Sequence, residues 1–188
     1  MKKFVFTLIA LVASTMSMFA GSKVTFVSGD ASSINDKKVY IEYDYSKMQI
    51  LDEDSKNTMS ELEFCKMKGE DWVRDMGKDT KEAENWFFKT MKKKAKGFTV
   101  VDDKSQADVV LTLQPTTFSY GNPYAYSAFM SNDVKGFFVG QAYLTTKDNQ
   151  SVAQLDIAKL CGDGGLSWTI QKNKVYIKVA EALAKAMK

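Results

Sequence analysis

The sequence predicts an α+β fold: a mostly antiparallel sheet with helices packed on one face, including a C-terminal amphipathic helix. Three observations lead there. Strand-like and helix-like segments come in groups instead of alternating one for one. Several strand candidates alternate apolar and polar residues, the mark of a sheet with one face on a core. The last segment carries an apolar stripe at helical spacing. The chain has 188 residues with 45% hydrophobic and 26% charged, the composition of a globular protein and not of a disordered one.

The elements follow in order. Residues 1–20 have the layout of a secretory signal peptide: Lys2 and Lys3, an apolar run over Phe4–Val12, then small and polar residues to Ala20. Cleavage is expected after Ala20 or after Ser17, leaving 21–188 as one α+β domain. The apolar stretch is shorter than the ~20 residues that span a bilayer, and no later segment is apolar enough to do so.

Lys23–Ser28 reads as a short strand. Lys38–Ser46 is a stronger one, with Val39, Ile41, Tyr43 and Tyr45 on one side and Tyr40, Glu42 and Asp44 on the other. Extended residues are expected around Met48–Leu51. A helix over about 54–67 would bury Met59, Leu62 and Cys65 or Lys66, and end at Gly69. A second, over about 78–96, opens near Thr80 and Glu82. It would bury Ala83, Trp86, Phe87, Thr90, Met91 and Ala95, and stop at Gly97.

Phe98–Val101 is a strand. Ala107–Tyr120 is a long one, and Pro115 predicts a bulge or an edge within it. Val134–Thr146 and Gln150–Leu160 form a hairpin through Lys147-Asp148-Asn149. A closing helix over about 169–187 presents Val175, Tyr176, Val179, Ala180, Leu183, Ala184 and Met187.

The composition excludes several chemistries. There is no histidine, so Ser-His-Asp and Cys-His catalysis and His-ligated zinc are ruled out. Loss of residues 1–20 removes two of the 26 basic residues and none of the 23 acidic ones, leaving a balance near neutral that gives no drive toward nucleic acid. Export would make a Cys65–Cys161 disulfide chemically accessible, stabilising by ~4 kcal/mol through its long loop. The alternative is two buried thiols.

The candidate binding feature is an aromatic loop: Phe118, Tyr120, Tyr124, Tyr126 and Phe129 around Gly121-Asn122-Pro123. Such side chains stack on sugars or anchor a protein partner. They serve equally well as core residues of the adjoining strands. Lys92-Lys93-Lys94 with Lys96 is a basic run that could touch phosphate or anionic lipid headgroups, but it better suits a solvated helix C-terminus. Asp52-Glu53-Asp54 fails the EF-hand pattern, since Lys56 and Asn57 fall where a ligand and a glycine are required. Cys161-Gly162-Asp163-Gly164-Gly165 lacks the residues of a P-loop. No catalytic residue, metal or cofactor is assigned.

In Phe98–Asp156, a short strand leads to Ala107-Asp108, a long strand, Gly121 and a hairpin. This pattern is similar to uncharacterised exported domains of the Bacteroidetes type, and more distantly resembles the amino-terminal domain of TolB and CsgG-like domains. The resemblance implies an envelope module without enzymatic activity. The reading is thus an exported binding or scaffolding domain, periplasmic, outer-membrane-associated or secreted, whose partner is an envelope protein or a glycan. The alternative is a carbohydrate-binding module, or a hydrolase using two carboxylates such as Asp108 and Asp156.

Overall fold

A computed structural model describes residues 23–122 and 135–188. The signal-like segment, and Tyr124, Tyr126 and Phe129 of the aromatic loop, lie outside the described residues. The elements are β1 (Val24–Ser28), β2 (Lys38–Tyr43), β3 (Gln49–Leu51), β4 (Thr58–Met59), α1 (Glu61–Lys68), α2 (Glu70–Lys94), β5 (Thr99–Val100), β6 (Val109–Gly121), β7 (Lys135–Thr146), β8 (Ser151–Cys161) and α3 (Trp168–Ala186).

The strands form a sheet in the order β1-β8-β7-β6-β2-β5, with β3 on β6 beyond the end of β2, and β4 on β3. The long β6, β7 and β8 meander antiparallel, as the hairpin signals predict. β2 and β3 run parallel to β6, and β5 runs parallel to β2. The parallel pairs arise because α1 and α2 carry the chain from one end of the sheet back to the other.

The core lies between one sheet face and the helices. Val39, Leu111, Leu113, Phe118, Phe138, Ala142, Leu144, Leu155 and Ile157 supply the sheet side. α3 lies against them through Val175, Tyr176, Val179, Ala180, Leu183 and Ala184, and α2 packs on α3 through Ala83, Phe87 and Met91. Each large apolar side chain sealed here contributes roughly 2 kcal/mol. No described helix is long and apolar enough to cross a membrane.

Three expectations change. Residues 54–59 are a turn and β4, not helix. α1 starts at Glu61, behind a Ser60/Glu63 capping box, and buries Phe64 and Cys65 while Leu62 faces solvent. α2 begins at Glu70 and passes through Gly77, whose absent side chain faces open space and breaks nothing. Trp86 is 43% exposed, because the buried stripe advances in strict steps of four along α2 from Ala83 to Phe87 to Met91.

Pro115 does sit at a bulge: the β6–β7 register shifts between Pro115 and Thr117. Gly140 stands opposite it. A Cβ at Gly140 would lie 2.4 Å from the Gln114 carbonyl oxygen and 2.9 Å from Pro115 Cα, so only glycine lets the two backbones approach. Gly140→Ala is expected to cost about 2 kcal/mol in a urea melt. Gly77→Ala should add about 0.5–1 kcal/mol in the same measurement.

Candidate functional site

Two polar constellations occupy the fold, one sealed and one open. The sealed one centres on Lys172, in the second turn of α3. Ser167 caps that helix by accepting from Ile170 N, which fixes the register that turns Lys172 inward. Its side chain is 1% exposed. The ammonium donates to Glu61 Oε1 at 2.7 Å and to Thr80 Oγ1 at 2.8 Å, and lies 3.4 Å from Tyr120 Oη. Tyr120 Oη also donates to Glu61 Oε1 at 2.9 Å. Aromatic rings close the remaining space: Nζ lies 5.6 Å from the Tyr120 ring centre and 6.0 Å from that of Phe118. Tyr120 stacks on Phe64 and meets Trp72 and Trp168 edge-on.

Phe118 and Tyr120 are therefore walls of this interior cage, 0% and 4% exposed. Burial raises the Tyr120 hydroxyl well above its usual range, and the Glu61 carboxylate adds to it. Nearby, burial raises the Asp79 carboxyl, which accepts from Thr169 Oγ1 at 3.2 Å. Cys65 and Cys161 are both free thiols: Cys65 is buried in α1, whereas Cys161 ends β8 opposite Phe137. Of the two alternatives, a bridge or two thiols, the structure has two thiols, one on α1 and one at the end of β8. Burial, and then Glu61, push the Cys65 thiol up to about 11, which leaves it protonated and unreactive near neutrality.

A tyrosine chain leads from this interior to the surface. Tyr176 Oη donates to Tyr45 Oη at 3.3 Å, Tyr45 Oη to Glu84 Oε1 at 2.9 Å, and Tyr43 Oη to the Glu84 carbonyl at 3.0 Å. It ends at the open constellation, a hollow of about 530 Å³ lined by Tyr40, Ile41, Glu42, Tyr43, Asp44, Thr112 and Glu84. Tyr40 and Glu42 occupy the outer face of β2, as its alternation predicts, and Asp44 follows just beyond its end. Glu84 comes from α2 and carries no sequence signal, since only helix packing brings it to the strand.

The acids of the hollow are held in place. Glu42 pairs with Lys104 Nζ at 2.6 Å. Asp44 accepts from Ser46 N at 2.9 Å and from Gln114 Nε2. The Ser46 hydrogen bonds hold its carboxyl below the usual carboxylate range. The outer face continues from Gln114 to Gln141 and Asp156, paired across the strands. Gln141 Nε2 donates to Asp156 Oδ1 at 2.9 Å, and Tyr143 Oη donates to Gln141 Oε1. The Gln114 Oε1 atom is buried and has no partner among the described residues.

The remaining candidates are accounted for locally. Asp108 accepts from Lys38 N at 2.8 Å just before β6 begins, whereas Asp156 lies on β8 in register with Gln141 and, through it, with mid-strand Gln114, so the two carboxylates do not face each other. Lys92 pairs with Asp102 and Lys94 with Glu181. Asp52 is buried and held by Ser55 and Lys68. No group of metal-ligating side chains occurs among the described residues.

The chain thus falls in the class of α+β domains with one helix-covered and one open sheet face. No family model matches it, and no curated protein matches it. Solved structures similar to it include the PelC dodecamer from Paraburkholderia phytofirmans, at 13% identity over 85% of this chain and 96% of that one, TM-score 0.41. A DUF4136 family protein from Bacteroides thetaiotaomicron is similar at 9% identity over 88% of this chain and 96% of that one, TM-score 0.33. The finer resemblance to TolB and CsgG-like domains is not shown by these matches.

Lys172→Met leaves Glu61 and Tyr120 without their cation and should cost about 3 kcal/mol in a urea melt, whereas Lys172→Met with Glu61→Leu should recover most of that loss. Without reductant, the unfolded protein should take up two alkyl groups. In the native protein at pH 8, Cys161 should be alkylated before Cys65, as peptide mass mapping would report.

Proposed function

We propose that this chain is an exported, non-enzymatic binding or scaffolding domain of the bacterial cell envelope. The N-terminal layout of residues 1–20 supports export. One observation carries the binding reading: the helices cover a single sheet face, and the edge of the other carries the open hollow at Tyr40–Asp44 and Glu84. Its side chains are fixed by internal hydrogen bonds before any ligand arrives, which lowers the ordering cost of binding.

The hollow does not suit acid catalysis through Asp44. A general acid needs a proton near neutrality, and Asp44 is held ionised. A glycan ligand keeps one supporting feature, namely Tyr40 beside three carboxylates.

The test places a photo-crosslinking residue at Tyr40 in the native host, with Lys174, exposed on α3, as the control position. The expected result is a discrete adduct in the envelope fraction from Tyr40 and none from Lys174. A protein adduct supports scaffolding and a glycan adduct the carbohydrate reading. Retention in the cytoplasm, or no adduct at Tyr40 from folded exported protein, overturns the proposal.

A further inference from the structure

The hollow has a backbone as well as side chains. Strand residues point their N–H and C=O groups to alternate edges. Along β2 and the residue after it, the groups of Lys38 and Asp44 face β6: Asp108 N donates to Lys38 O at 2.8 Å, and Asp44 N donates to Leu113 O at 3.0 Å. The groups of Lys37 and Val39 face β5, accepting from Thr99 N at 2.9 Å and Val101 N at 3.0 Å. Ile41 and Tyr43 therefore present theirs on the β5 side too. But β5 ends at Val100, and β2 pairs with it only at Lys38 and Val39. No described backbone meets the Ile41 and Tyr43 groups. A sheet edge with two donors and two acceptors at strand spacing thus opens into the hollow.

We infer that this edge takes up an extended, cationic peptide segment as an added strand beside β2. This rests on the binding reading above and names its ligand class. Backbone groups repeating at every second residue match a polypeptide main chain, which no sugar or lipid headgroup reproduces. Alternate side chains of the added strand would point to opposite faces. One set meets Glu42 and Asp44 on the outer face, and the other meets the ledge of α2 around Glu84. Three carboxylates line the hollow, against Lys104, which pairs with Glu42, and Lys47, whose charge acts on Asp44, so an incoming basic side chain still meets a net negative charge.

The probe is an acetylated, amidated heptapeptide alternating valine and lysine, added to the purified protein. Amide hydrogen exchange is read by NMR at Ile41 and Tyr43, and affinity by calorimetry. Exchange of both amides is expected to slow at least tenfold at saturation. Affinity should fall at least tenfold when alternate peptide nitrogens are methylated, fall with added salt, and vanish when glutamate replaces lysine. Glu42→Lys should weaken binding several-fold. Three results overturn the inference: slow exchange of both amides before any peptide is added, unchanged exchange with peptide bound, or equal binding of the glutamate peptide. A partner crosslinked from Tyr40 in cells, together with unchanged Ile41 and Tyr43 exchange, removes strand addition while leaving the binding reading standing.

Discussion

One buried cation organises this molecule. Taking an ammonium out of water costs several kcal/mol unless close partners replace the hydration. Lys172 finds those partners on three other elements: Glu61 on α1, Thr80 on α2 and Tyr120 on β6. None of the four can shift by an ångström without leaving a charge or a hydroxyl unpaired in a low-dielectric interior. An apolar core of the same size would tolerate sliding of α3 over the sheet. This one specifies a register, and the aromatic packing of Phe64, Trp72, Phe118, Tyr120 and Trp168 is assembled around it.

That arrangement decides where function can reside. The most chemically loaded residues of the chain are shut away from any ligand, with Lys172 at 1% exposure and Tyr120 at 4%. Because α1, α2 and α3 are all committed to one face, the opposite face and its margins are what the protein shows to its surroundings. The Tyr176–Tyr45–Glu84 chain connects the two regions. The same packing that seals Lys172 brings Glu84 to the β2 edge with its carboxylate already hydrogen-bonded. The hollow is therefore a by-product of the core's geometry, held rigid by it.

The sequence announced what repeats and concealed what is joined across the chain. The alternation of β2, the Pro115 bulge, the β7–β8 hairpin and the apolar stripe of α3 are periodic or local, so each was legible. The start of α2 was not, since Gly69 and Gly77 read alike in sequence. Only the fold distinguishes Gly69, at φ +122° between helices, from Gly77 within one. Lys172 was the least legible of all. A lysine in an amphipathic helix ordinarily marks the solvent side, and its partners lie 52 to 111 residues away. Phe118 and Tyr120 stand out in the sequence by their chemistry, but whether an aromatic faces solvent or core depends on what packs over it. Of the hollow, the outer row Tyr40, Glu42 and Asp44 was visible as alternation, while Glu84 was not.

The two margins of the sheet are managed differently, and the difference bears on what the β2 edge is for. Unpaired edges invite pairing between copies unless something discourages it. β1 is short, its register with β8 shifts between Phe26 and Ser28, and Gly29 follows at φ +68°, all of which twist that margin out of a regular pairing geometry. The β2 margin has no bulge in its pairing with β6 and keeps a straight register from Val39 to Tyr43. Acidic side chains guard it instead. Two copies meeting β2 to β2 would bring Glu42, Asp44 and Glu84 against their own counterparts, a repulsion strengthened by the partly buried setting. A bulge rejects every incoming strand. A row of carboxylates rejects the protein's own edge and other acidic strands, and leaves the backbone groups of Ile41 and Tyr43 available to a strand of opposite charge. Protection by charge is selective where protection by shape is not, and this fold applies the selective kind at the edge that borders the hollow.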